Sequence, residues 1–132
     1  MRYTLEAVVL PEGSGVDIEA RLEEADKLCY DGEYDAATAV YEELLAADET
    51  CHRARFGRAR AWLFTGLFDE AIAELEIVRA QKPDFLVSRI ELFKSYLMLS
   101  MIDEAKDEAR YILSVDPGNE DVNKQLIYLG DL

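Results

Sequence analysis

Cys51 and His52 stand side by side, and a thiol beside the only imidazole is the first pair in this 132-residue chain that could support nucleophilic or metal chemistry. Neighbouring residues on a helix point in different directions, and no further ligand type is spaced to complete a set, so an ordinary helix start is expected here. The stretch PEGSG at 11–15 superficially resembles a phosphate-cradling loop. It lacks the lysine and spacing of such loops, and Glu12, Asp17 and Glu19 would repel phosphate. Paired carboxylates such as Glu23 with Glu24, or Asp107 with Glu108, follow the pattern of solvated helix faces rather than of an acid-base cleft. Trp62 lies on an apolar stripe and is expected to pack between helices. No catalytic residue, metal set or cofactor is expected, and the chain reads as non-enzymatic.

The bulk composition narrows the partners. Half the residues are apolar, enough to bury a core without metals or disulfides. There are 14 basic and 28 acidic residues, and a net charge of -14 repels nucleic-acid backbones and anionic lipid, so neither is an expected partner. The longest apolar run, Ala7 to Leu10, is far short of the roughly 20 residues of a spanning helix, and Glu6 and Pro11 bracket a core too short for a signal peptide. The expectation is a cytoplasmic protein whose Cys29 and Cys51 are free thiols.

The elements that must position any site come from a repeat. GEYDAA at 32–37 returns as GLFDEA at 66–71 and SMIDEA at 100–105, each after 34 residues. Gly32, Gly66 and Ser100 share one register; so do Tyr34, Phe68 and Ile102; Ala37, Ala71 and Ala105; and Glu49, Pro83 and Pro117. Self-similarity at such a period is the signature of stacked repeats. Each unit reads as two helices. Apolar residues recur at spacings of three and four in the first helices (Ile18, Leu22, Ala25, Leu28; Phe56, Ala59, Trp62, Leu63; Leu86, Ile90, Phe93, Tyr96) and in the second (Ala37, Val40, Tyr41, Leu44; Ala71, Ile72, Leu75, Val78; Ala105, Ala109, Ile112). The glycine column closes the first helix, and Asp35, Asp69 and Asp103 place a carboxylate at the amino end of the second.

This pattern resembles the tetratricopeptide repeat, W-x2-L-G-x2-Y, then A-x3-F, then P, over about residues 17 to 117. The Tyr column is Leu28, Trp62 and Tyr96; the Ala column Ala37, Ala71 and Ala105; the Phe column Tyr41, Leu75 and Ala109; the Gly column Ala25, Ala59 and Phe93. The Trp column departs from the family, reading Arg21, Arg55 and Arg89, with Glu24, Arg58 and Leu92 at the Leu column. An arginine in every unit is itself periodic and is expected to form a ladder to acidic side chains on neighbouring helices. The resemblance implies an all-α solenoid (α-α superhelix) of about seven helices. Its repeats would run over about 17–50, 51–84 and 85–118 in a single domain at 17–132, with a capping helix over about 119–130. Residues 1–16 form an extended apolar segment and linker, and Tyr3 to Leu10 is expected to dock on its own chain or to mediate self-association.

The resemblance also implies a protein-interaction module, an adaptor or scaffold, that holds a peptide or helix on the concave side lined by the first helices. Two columns project there. Tyr30, Phe64 and Met98 would supply apolar anchors, while Asp26, Arg60 and Lys94 would orient the partner. The acidic exterior favours a partner with basic flanks. Some family members clamp a carboxyl terminus with basic and amide side chains, but Glu19, Leu22, Glu23 and Asp26 on the first helix would repel one. A small acidic chaperone that shields apolar client segments, resembling the class II chaperones of type III secretion, is the alternative.

Overall fold

The computed structural model describes residues 15–132, and the docking or self-association expected of Tyr3 to Leu10 falls outside them. Among the described residues there are eight helices and no strand: α1 (Gly15–Tyr30), α2 (Tyr34–Ala47), α3 (His52–Phe64), α4 (Phe68–Gln81), α5 (Leu86–Met98), α6 (Ile102–Val115), α7 (Glu120–Asn123) and α8 (Leu126–Leu129). Contacts gather into two compact units that divide inside α4, between Glu74 and Leu75.

Each first helix ends in the same way. The amide of Glu33 donates to the Leu28 carbonyl (2.8 Å), that of Leu67 to Trp62 (2.9 Å) and that of Met101 to Tyr96 (2.8 Å). The amides of Gly32, Gly66 and Ser100 donate to Cys29, Leu63 and Leu97. These paired bonds satisfy carbonyls that the helix end would leave open, and they require a left-handed residue. Gly32 and Gly66 take φ of 85° and 86°, and Ser100 takes 60°. The second helices then start with acidic residues in the first turn, Asp35 in α2, Asp69 and Glu70 in α4, Asp103 and Glu104 in α6.

In the first unit, Leu22, Ala25 and Cys29 of α1 meet Ala37, Val40, Tyr41 and Leu44 of α2 and Ala54 and Ala61 of α3 in one buried cluster. The approach of α2 to α3 is close enough that a Cβ on Gly57 would stand 2.2 Å from the Tyr41 ring. The second unit buries Leu92, Phe93 and Tyr96 of α5, Ala105, Ala109 and Ile112 of α6, and Val122 and Leu129 of the terminal turns. The helical periodicities of the sequence therefore mark the buried faces.

The terminal segment differs from the expected continuous helix over 119–130. It is two single turns separated at Lys124 and Gln125. Asn119 caps the first by accepting the Val122 amide, and the backbone then tightens to a three-residue bond from the Gln125 amide to the Val122 carbonyl at 2.9 Å. That tightening interrupts the four-residue pattern.

Candidate partner-binding surfaces

The arginine ladder holds the helix pairs. Arg21 of α1 pairs with Glu43 of α2, Arg55 of α3 with Glu74 of α4 (3.1 Å), and Arg89 of α5 with Glu108 of α6 (2.5 Å). Arg55 and Arg89 also donate to the carbonyls of Glu49 and Pro83, at 2.8 and 2.9 Å, so each ties the preceding loop to its own hairpin. Glu108, expected on a solvated face, is instead buried, because Arg89 and Arg79 converge on it; Glu74 is buried likewise under Arg55 and Arg58. These carboxylates have both oxygens occupied and are structural.

In the first unit the expected anchors are exposed. Tyr30, at the end of α1, is 89% accessible, and Phe64, at the end of α3, is 58% accessible while stacked on Tyr34 with ring centroids 5.3 Å apart. Asp26 accepts a hydrogen bond from the Tyr41 hydroxyl. Burial, and then that bond, push the Tyr41 hydroxyl well above the ordinary phenol range. Arg60 lies over the Phe56 ring at 5.7 Å. Asp26 is thus held by the hairpin's own tyrosine, whereas Tyr30 and the outer face of Phe64 stand free for contact.

In the second unit Met98 is 54% accessible and shares a cavity of about 420 Å³ with Lys94. Phe93 and Leu97 of α5 and Asp121, Lys124 and Gln125 of the terminal segment complete its lining. These last three residues lie outside the 34-residue repeat, so no periodic column pointed to them. The first unit has its own cavity of about 220 Å³, lined by Ile18, Leu22 and Leu44 and rimmed by Glu19, Asp48 and Arg53. Cys51 and His52 lie in that wall, where burial raises the Cys51 thiol above its usual range and keeps it protonated. Both cysteines are free. Among the described residues no group of three or more metal-ligating side chains occurs, and no helix is long and apolar enough to cross a membrane.

A chain of two-helix hairpins closed by identical left-handed turns defines the helical-repeat class. Residues 30–92 match the tetratricopeptide-repeat family model. It is 28% identical over 109 residues to DnaJ homolog subfamily C member 3 of Mus musculus, covering 83% of this chain and 22% of that protein. The chain therefore spans about a fifth of the length of the curated relatives it matches. Among solved structures it is similar to the first tetratricopeptide domain of Spaghetti (RPAP3) bound to the HSP90 peptide SRMEEVD, at 21% identity, 83% of this chain, 87% of that one and a TM-score of 0.77. It is also similar to the Yersinia enterocolitica type III secretion chaperone SycD in complex with a peptide of the translocator YopD, at 16% identity, 90% of this chain, 91% of that one and a TM-score of 0.73.

Proposed function

We propose that the chain is a non-catalytic protein-interaction module, an adaptor that holds a short helical or extended segment of a partner protein against the carboxyl-terminal ends of its first helices. One observation carries the proposal. The same repeat position leaves a large apolar side chain exposed three times, as Tyr30, Phe64 and Met98, on helices whose other apolar residues are mostly withdrawn from solvent. Isolated exposed apolar residues are common, but recurrence at one repeat position is what anchoring a segment at regular intervals requires. Arg60 and Lys94 orient the segment, and the net charge of -14 favours basic flanks around it. The domain organisation keeps three repeats over about 17–50, 51–84 and 85–118. Free Cys29 and Cys51 support a reducing, cytoplasmic setting. The peptide complexes of the RPAP3 domain and of SycD support this reading through the shared fold.

Selection from a displayed random-peptide library tests it. Peptides recovered on the wild-type chain are expected to lose binding to a Phe64→Glu, Met98→Glu variant whose helical circular dichroism is unchanged. Equal binding to both removes the anchors from the site. The acidic-chaperone alternative is favoured by the same exposed apolar groups on an acidic chain. It predicts suppression of aggregation of several unrelated apolar clients, where an adaptor selects one defined sequence motif.

A further inference from the structure

The cavity of the second unit carries information about the partner that the repeat columns lack. Its lining combines apolar Phe93, Leu97 and Met98 with polar Lys94, Lys124, Asp121 and Gln125. The other arginines of α4 and α5, Arg79 and Arg89, are committed to Glu108 at 2.5 Å. Lys94 is not comparably committed, since its Nζ stands 3.6 Å from Glu91 and 4.0 Å from Asp121. Lys124 has no ion pair among the described residues. The ionised lining thus holds two cations and one anion, in a chain whose acids outnumber its bases two to one. In the first unit the smaller cavity has the opposite balance, with Glu19 and Asp48 against Arg53, and Arg53 is already paired with Glu19.

The cavity exists where the terminal helix is interrupted. Lys124 and Gln125, the two residues between α7 and α8, form part of its wall, and its volume lies within the roughly 300–1,000 Å³ of typical ligand sites. An apolar side chain alone would leave Lys124 without a counter-charge and Lys94 with only its long contacts to Glu91 and Asp121, whereas a carboxylate beside that side chain would face both ammonium groups.

We infer that the α5 and α7 cavity is a docking site for a partner segment in which a large apolar residue, seated on Phe93, Leu97 and Met98, is accompanied by an acidic residue held by Lys94 and Lys124. This rests on the interaction-module reading and adds to it the chemistry of one anchor. Basic flanks face the acidic exterior, and a carboxylate enters at this cavity.

The probes are fluorescein-labelled twelve-residue peptides built on leucine and phenylalanine, one with glutamate beside the apolar residues, one with lysine there, and one with serine replacing the apolar residues. Fluorescence anisotropy is read with the full chain and with Lys94→Glu, Lys124→Glu, two exposed positions whose exchange is checked by circular dichroism. The glutamate peptide is expected to bind, the serine peptide to fail, and the charge-reversed variant to lose about tenfold or more for glutamate while gaining for lysine. Glutamate and lysine peptides bound equally, or binding unchanged by charge reversal, overturns the inference. If library-selected peptides still bind and depend on Phe64, the module reading survives that failure; if nothing selected binds, both fall. A concentration-dependent dimer abolished by the charge-reversed variant would place a second copy in the cavity and also overturn the inference.

Discussion

The two units use the same 34-residue register to bury the same carboxylate, yet they supply its second partner differently. Glu74 takes Arg55 and, one turn further along the same helix, Arg58. Glu108 takes Arg89, but the position one turn on is Leu92, which is buried in the core, and the second guanidinium comes from Arg79 on α4. In these two repeats the register therefore places an acid to be neutralised without fixing a particular donor. A buried carboxylate is tolerated only when its charge is met and its oxygens are hydrogen-bonded, and either geometry meets that condition.

Removing the carboxylate gives the largest expected effect. Glu74→Ala and Glu108→Ala should each destabilise the chain by about 2–4 kcal/mol, because two guanidinium groups are left crowded without a counter-charge. Glu74→Ala should be the larger, since Arg55 and Arg58 are both more withdrawn from solvent than Arg79. Urea titration of both variants decides it. A loss below about 0.5 kcal/mol at both sites would mean that the clusters are no better than exposed ion pairs.

A second difference lies at Gly57. The first unit puts Tyr41 where the repeat elsewhere has Leu75 and Ala109, and the larger ring occupies the space that a side chain on α3 would need. Tyr41 is buried and bonded to Asp26, so it cannot swing aside freely. Gly57→Ala should cost about 1–3 kcal/mol through overpacking. Combining it with Tyr41→Leu should recover part of that loss, and a double variant no better than additive would separate the two positions.

The tyrosines of the two units can be compared through pH. Tyr41 donates to Asp26, and Tyr96 donates to Glu76 at 2.5 Å; in both, burial and then the carboxylate partner raise the hydroxyl above its ordinary range. A pKa raised in the folded state gives stability that is complete below the unfolded value and is lost as pH rises beyond it. Above about pH 10 each tyrosine should therefore steepen the decline in stability by up to about 1.4 kcal/mol per pH unit. Tyr41→Phe and Tyr96→Phe should each flatten the alkaline limb of a denaturation series by one proton. Unchanged slopes would show that the hydroxyls ionise alike in both states.

The hairpins, their turns and most buried positions were legible because period, glycine register and small-residue columns are local signals. The ladder was legible as a column of arginines, but its acceptors were not. Glu74 and Glu108 share a register with Val40, while the first repeat's acceptor is Glu43, so no single acidic column announces the pairing. Asp107 and Glu108 look alike in the sequence; only the convergence of Arg79 and Arg89 distinguishes the buried one. Among the candidate site residues, Lys94 and Met98 were visible from their columns. Lys124 and Gln125 were not, because the wall they form depends on an interruption that a short amphipathic segment does not declare.

The last comparison concerns the turns. Gly32 and Gly66 close the helices of the first unit in a conformation that glycine adopts without strain, while Ser100 must take it at φ 60° with a side chain. The hydrogen bonds around Ser100 match those around the glycines, so the turn forms nonetheless and the strain is borne by the backbone. Ser100→Gly should relieve it and stabilise the chain by about 0.5–1 kcal/mol, the gain being reduced by the extra freedom glycine brings to the unfolded state. Gly66→Ala should move the other way by a similar amount, although open space surrounds it, because the conformation and not a clash is at issue. Thermal unfolding of the two variants beside the wild type measures both signs at once. If Ser100→Gly is neutral while Gly66→Ala is destabilising, Ser100 already recovers the strain by contacts that glycine would lose, and the two units close their turns by different means.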